Sequence, residues 1–322
     1  MTENTSVADE NFRGIDYTDG QNQKPTDYPT LDAKLEKGVE VVEIALEAYS
    51  NPAILWTGGK DSTLVLYLVA EVAKQNDYDI PPAVFIDHFQ HFDVVHEFVD
   101  YWADKWDVEM IVARNDSVGT LADAPGDRIR VDELNERNKH EVRNVLKYED
   151  DDFPFLLDTL VGNHLLKTVA LNDTLEEYGF DGIITGVRWD EQAARADETF
   201  FSPRQDAEKY PPHDRIHPIL QFEERAVWDA MWTVVVPDSV PGYPAGHQPR
   251  TSTDLPEGIA PEDLPINPKY FEGFRSLGSE VSTTRSADQP AWVQDLDSTG
   301  ERDGRAQDKE GLMERLRDLG YM

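Results

Sequence analysis

A short apolar run, Ala53 to Trp56, leads into the loop Thr57-Gly58-Gly59-Lys60-Asp61, and an amphipathic stretch from Ser62 to Lys74 follows without a gap. Leu64, Leu68, Val69 and Val72 recur there at helical spacing, so the order strand, tight turn, helix is written into the chain. Paired glycines let backbone approach an anion closely, and the helix start offers unpaired N–H groups and partial positive charge to phosphate. Lys60, Ser62 and Thr63 can add side-chain contacts. The plainer alternative is an ordinary glycine turn with Asp61 or Ser62 as helix cap. Its position between strand and helix favours phosphate binding. The spacing G-x-x-x-x-G-K-[ST] of a Walker loop is not met.

The same unit repeats downstream. Ala83 to Ile86 is strand-like, Val94 to Trp106 helix-like and Val108 to Val112 strand-like; later, Phe155 to Tyr178 predicts a helix and Gly182 to Thr185 a fourth strand. Ile216 to Leu220 is a candidate fifth strand, followed by a helix over Glu223 to Trp232. Alternation of this kind predicts an α/β fold, a doubly wound parallel sheet with helices on both faces. Ahead of it, Leu31 to Ala48 predicts an amphipathic helix, and residues 1–30 lack apolar periodicity and read as a flexible arm without a core. Residues 114–155 read as a polar insertion with one short helix. The division expected is an arm (1–30), a nucleotide-binding α/β domain (31–235) and an irregular C-terminal cap and tail (236–322), proline- and glycine-rich at its start.

Charge narrows the function classes. Sixty-four acidic residues against 30 basic ones give a net charge of −34, which repels nucleic acid and anionic membranes. The acids are scattered among periodic apolar residues, so the composition fits a folded protein adapted to high salt rather than a disordered one. No apolar run approaches the roughly 20 residues of a membrane span, and no signal-peptide pattern opens the chain; a cytoplasmic location is expected. With no cysteine, thiolate metal sites and cysteine nucleophiles are excluded.

The segment Thr57 to Ser62 resembles the pyrophosphate-binding PP-loop of the adenine-nucleotide alpha-hydrolase-like superfamily, usually written with Ser first. Further landmarks follow in order: Gly186-Val187-Arg188-Trp189-Asp190-Glu191-Gln192-Ala193-Ala194-Arg195-Ala196, then Phe201-Ser202-Pro203-Arg204, then Ile216-His217-Pro218-Ile219. Together they resemble the small-subunit family of ATP sulfurylases and its relatives, the PAPS and APS reductases. Phe274 to Gly278, Ser298 to Arg305 and the closing Gly320-Tyr321-Met322 resemble the sulfurylase tail, whereas PAPS reductases carry a reactive cysteine there. Ser279 stands where the family usually has Cys, and the acidic stretch 126–152 is longer than usual.

The resemblance implies transfer of AMP from ATP to sulfate, with Mg²⁺, and a separate GTPase-type large subunit as partner. Cofactor contacts then fall on Thr57, Gly58, Gly59, Lys60, Asp61, Ser62, Thr63, Asp87 and Gly186. Guanidinium groups pair bidentately with sulfate or phosphate, which makes Arg188, Arg195 and Arg204, with Lys60, the candidates for catalysis. Each arginine has acidic neighbours, so a surface ion pair is the competing reading. Asp61 and Asp190 are candidate Mg²⁺ ligands, or else a cap and an arginine's partner. His88, His91 and His96, and likewise His213 and His217, lack convergent zinc-site spacing. Two rivals stay open: another ATP pyrophosphatase that adenylates a different acceptor, and a nucleotide-binding paralogue without catalysis.

Overall fold

The computed structural model describes residues 14–192, 195–207 and 210–301. Its centre is a six-stranded sheet in the order β3-β2-β1-β6-β8-β7. The strands are β1 (Pro52–Leu55), β2 (Ala83–Ile86), β3 (Met110–Ala113), β6 (Gly182–Ile184), β7 (Phe201–Arg204) and β8 (His213–Ile216). A separate antiparallel pair, β4 (Arg128–Arg130) and β5 (Asp152–Pro154), lies in the insertion. Neighbours from β3 to β8 run parallel, and β7 runs antiparallel at the edge. Pro203, which cannot donate to a ladder, is tolerated in such an edge strand.

Alternation within the strands divides the core into two layers, because successive side chains point to opposite faces. Ile54, Trp56, Ala83, Phe85 and Ile184 join the larger core, with α1 (Leu31–Ala48), α2 (Lys60–Gln75) and α3 (Asp93–Trp106). Ala53, Val84, Ile111 and Ile183 face the other way, against Leu171 and Leu175. Those two leucines belong to α4, a helical run made of Leu160–Asn163, a π-wound turn His164–Val169, and Ala170–Tyr178. A second such run, α5, comprises Glu224–Ala230, the π-wound Met231–Val235 and Val236–Ser239. The doubly wound expectation thus holds.

Several local expectations are corrected. The fifth parallel strand is His213–Ile216, and residues 217–220 form the turn beyond it. Its alternating His-Asp-Arg-Ile text hides a strand whose four side chains are all buried. The long helix expected from Phe155 begins only at Leu160. The polar insertion contributes to a separate core, in which Val118, Ile129, Leu134, Val142 and Phe153 pack with Leu157 and with Val161, Leu165, Leu166 and Val169 of α4. Within the expected arm, residues 14–30 are held against the sheet: Ile15 is buried, and the Tyr17 hydroxyl donates to Asp214 at 2.8 Å. The backbone N–H of Phe200 also bonds to Asp19 O at 3.0 Å. The cap is irregular as far as it is described, and an aromatic cluster fixes it to α5, with Trp292 4.8 Å from Trp232 and 4.7 Å from Phe271 between ring centroids.

Candidate functional site

In an open α/β sheet ligands bind beyond the carboxyl ends of the strands, where strand order reverses. Here the reversal lies between β1 and β6, and an open cavity of about 1350 Å³, solvent at its mouth included, lies there. Its wall takes residues from both strand ends: Leu55, Thr57, Gly59, Asp61 and Ser62 on one side, Thr185 and Gly186 on the other.

The loop after β1 is wound tightly. Gly58 takes a positive φ of 71°, and a Cβ there would press on Val99 at 3.0 Å. Gly59 is the N-cap of α2 without any side-chain cap, so the first N–H groups of the helix have no capping oxygen from that residue. The hydroxyls of Thr57 and Ser62 lie 3.1 Å apart, and Ser62 Oγ donates to Gly59 O at 3.1 Å. Thr63 is placed differently from the phosphate contact expected of it. Its buried Oγ1 accepts the Trp56 indole N–H at 3.0 Å, which pins helix to strand. Across the crevice Gly186 must be glycine, since a Cβ would stand 2.9 Å from the backbone of both Asp61 and Ser62.

Around Lys60 and Arg188 lies a dense charge cluster. Lys60 Nζ meets Asp61 Oδ2 at 2.9 Å and Glu301 Oε1 at 2.5 Å. Arg188, fully buried, contacts Asp61, Asp190 Oδ1 at 2.9 Å and Glu301 Oε2 at 2.5 Å. Burial alone would lower the Arg188 pKa, but Glu301 and Asp190 outweigh it and raise it. Burial likewise pushes Glu301 up, while Arg188 and Lys60 hold its carboxyl well below the usual carboxylate range. Glu301 arrives from the far end of the chain. Two landmark segments deliver it together: Arg275, ion-paired with Glu224, donates to Thr299 O at 3.1 Å. The cap also touches the loop directly, through Tyr270, whose hydroxyl accepts the Lys60 N–H at 3.0 Å.

The remaining candidates separate. Arg195 lines the cavity beside its ion-pair partner Glu191. Arg204 sits behind the wall, 3.3 Å from Glu198. Asp87 caps its own turn through the N–H of Phe89 at 2.9 Å and lies 3.4 Å from Arg114. Asp190 is saturated by Arg188 and by the N–H of Glu224 at 2.9 Å, the latter fastening the start of α5. Of the two carboxylates expected to hold Mg²⁺, only Asp61 lines the cavity, where it contacts Lys60 and Arg188. No cluster of three or more His, Asp or Glu suited to a metal occurs among the described residues. His88 and His91 stack at 3.6 Å on the cavity wall, and burial lowers His91 to about 4, so both face a ligand as neutral rings.

Sequence reasoning missed three cavity groups. Arg215, at the carboxyl end of β8, is buried and donates through Nε to His213 Nε2 at 2.9 Å. Burial and the Arg215 charge lower the His213 pKa to about 3, which keeps that ring neutral and an acceptor. Lys167 and Thr168 come from the π-wound turn of α4, a feature common at functional sites. No sequence signal singles these out, since Arg215 lies in a strand whose polar text reads as loop.

A glycine loop, a helix start without a side-chain cap from its N-cap residue and a cation-bearing wall at a switch point define an α/β protein of the nucleotide-binding class. The chain belongs to the family of the phosphoadenosine phosphosulfate reductase domain, which matches residues 51–238. It is similar to sulfate adenylyltransferase subunit 2 of Shigella dysenteriae serotype 1, 24% identical over 312 residues, covering 87% of this chain and 93% of that protein. The corresponding protein of Chromohalobacter salexigens is 26% identical, with 87% and 92% covered. Among solved structures, FMN adenylyltransferase of Candida glabrata aligns with a TM-score of 0.49 at 15% identity, covering 93% of this chain and 85% of that one. PAPS reductase of Candida auris aligns at 0.45 and 13%, covering 79% and 96%.

Proposed function

We propose that this chain is the nucleotide-binding subunit of a sulfate adenylyltransferase, moving AMP from ATP to sulfate with release of pyrophosphate. The observation that carries the reading is one cavity lined by the glycine loop and start of α2 on one side and by Arg195, Arg215 and Lys167 on the other. A sulfate oxygen attacks the α-phosphorus, the bond to the β-phosphate oxygen breaks, and pyrophosphate leaves toward the loop. Such a transfer needs positioning and charge stabilisation more than proton chemistry, because sulfate is already ionised.

Lys60 and Arg188 face three carboxylates as the chain stands, so the cluster is net negative. For ATP to enter, Glu301 gives way and the phosphates take its place on Lys60. Mg²⁺ bound with the nucleotide supplies further charge neutralisation. The absence of cysteine from the sequence argues against thiol-dependent reduction despite the family's name. The relatives' designation as subunit 2 supports a heteromeric assembly; a GTPase-type large subunit would supply the drive for an uphill reaction. Incubation with ATP, sulfate and candidate GTPase subunits in molar salt should yield adenosine 5′-phosphosulfate. Adenylylation of an organic acid instead, with none of sulfate, would assign the site to another acceptor.

A further inference from the structure

Behind the cavity wall three polar side chains stand in a line that the transfer of AMP to sulfate does not require. Thr185 Oγ1, at the carboxyl end of β6, lies 2.7 Å from His217 Nδ1, and His217 Nε2 lies 3.7 Å from Glu198 Oε2. Arg204 backs the carboxylate at 3.3 Å. All but Arg204 are at least nine-tenths buried, and both Thr185 and His217 reach the cavity.

The line has a direction. Burial lowers the His217 pKa against the pull of Glu198, so the ring is neutral and carries one proton. Burial also works to raise Glu198, but His217, Arg204 and Ser202 beside it outweigh burial and hold the carboxyl well below its usual range. Glu198 stands beyond hydrogen-bond reach at 3.7 Å, but its charge favours the tautomer with the proton on Nε2, the nitrogen that faces it. Nδ1 is then an acceptor, and the Thr185 hydroxyl must donate to it. With its single proton committed, Thr185 Oγ1 has only lone pairs left for a ligand. Sulfate and phosphate oxygens, which carry no proton at neutral pH, are poor partners for such an atom.

We propose that Thr185 is a specificity-determining residue that accepts a hydrogen bond from a ribose hydroxyl of the bound nucleotide, with His217, Glu198 and Arg204 as positioning residues that fix its polarity. The site of phosphate binding supplies the distance argument: Gly186, the next residue, is packed against the backbone of Asp61 and Ser62 at the start of α2. The uncharged donors of ATP nearest its phosphates are the sugar hydroxyls, and the adenine amino group lies a base-width farther on. This inference rests on the nucleotide-binding reading above and adds to it which chemical feature of the nucleotide is sensed.

The test is calorimetric binding of ATP, 2′-deoxy-ATP, 3′-deoxy-ATP and inosine triphosphate to the full chain and its variants. Wild type should bind ATP about 5- to 20-fold more tightly than one of the two deoxy analogues, the range expected for a buried acceptor left unpaired. Thr185→Val should lower ATP affinity to that of the analogue and abolish the preference; Thr185→Ser should retain it. Thr185→Ala repeats the comparison should the valine variant fold poorly. The ratio of ATP to inosine triphosphate should be the same in wild type and variants. A deoxy preference that survives in Thr185→Val and Thr185→Ala overturns the inference while leaving nucleotide binding intact, as does a change in the inosine ratio alone. Failure of wild type to bind ATP at all removes both readings.

Discussion

Glu301 shows how one side chain can set the state of a site. Its carboxylate bridges Lys60 and Arg188 with bonds of 2.5 Å to each, across a separation of 241 residues from Lys60. A carboxylate in that place competes with phosphate for the same cations, and charge-assisted hydrogen bonds are among the stronger polar contacts. Glu301→Gln should therefore tighten ATP binding, by roughly fivefold or more, since a neutral amide is displaced at lower cost. Titration calorimetry in molar salt reads this directly, and weaker binding by the variant would mean that Glu301 serves the bound state instead. The loop residues Thr57 to Ser62 were legible in sequence because strand, glycine pair and helix are contiguous. Glu301, Arg215 and the Thr185–His217–Glu198 line were not, because only the folded sheet and the cap against it bring such distant positions together. Thr63 illustrates the converse: residue type suggested a ligand contact, and the Trp56 indole took up its oxygen, whereas Asp190 took the alternative role expected of it as an arginine's partner.

At the scale of elements, the crevice depends on two strand ends approaching closely. Gly186, just after β6, lies so near α2 that Gly186→Ala must push its Cβ against backbone 2.9 Å away. Backbone cannot rotate aside as a flexible side chain can, so the substitution should cost about 1–3 kcal/mol of stability by overpacking. It should also weaken ATP binding, because the start of α2 moves with it. Thermal unfolding and ATP titration of the variant check both effects; unchanged values in the two would show that the strand ends are not in register with the loop. The sequence declared β1, β2 and β6 through apolar runs, and α1 through its spacing. It concealed β7 and β8, whose polar, histidine- and proline-bearing text looks like loop. Their burial comes from partners elsewhere: Tyr17 and Tyr49 both donate to Asp214 of β8, at 2.8 and 2.7 Å. The separate core to which the insertion contributes escaped notice for a similar reason, the insertion's apolar residues being diluted among charges at no single period.

The molecule as a whole carries a net charge of −34, and no described helix is long and apolar enough to cross a membrane. Such a surface repels itself most strongly in dilute buffer, where the Debye length reaches roughly 10 Å at 0.1 M salt. Melting temperature should accordingly fall as salt is lowered from molar to about 0.1 M; a flat profile would remove adaptation to high salt from the account. Sulfate activation itself is best tested by isotope exchange, which needs only the reversible step at the cavity. Labelled pyrophosphate should enter ATP when the chain, a candidate GTPase subunit, Mg²⁺ and sulfate are combined in molar salt, and Gly59→Val should abolish the signal. Exchange that proceeds equally well without sulfate, or that survives in Gly59→Val, would contradict the assignment of the loop and the cationic wall to AMP transfer between ATP and sulfate.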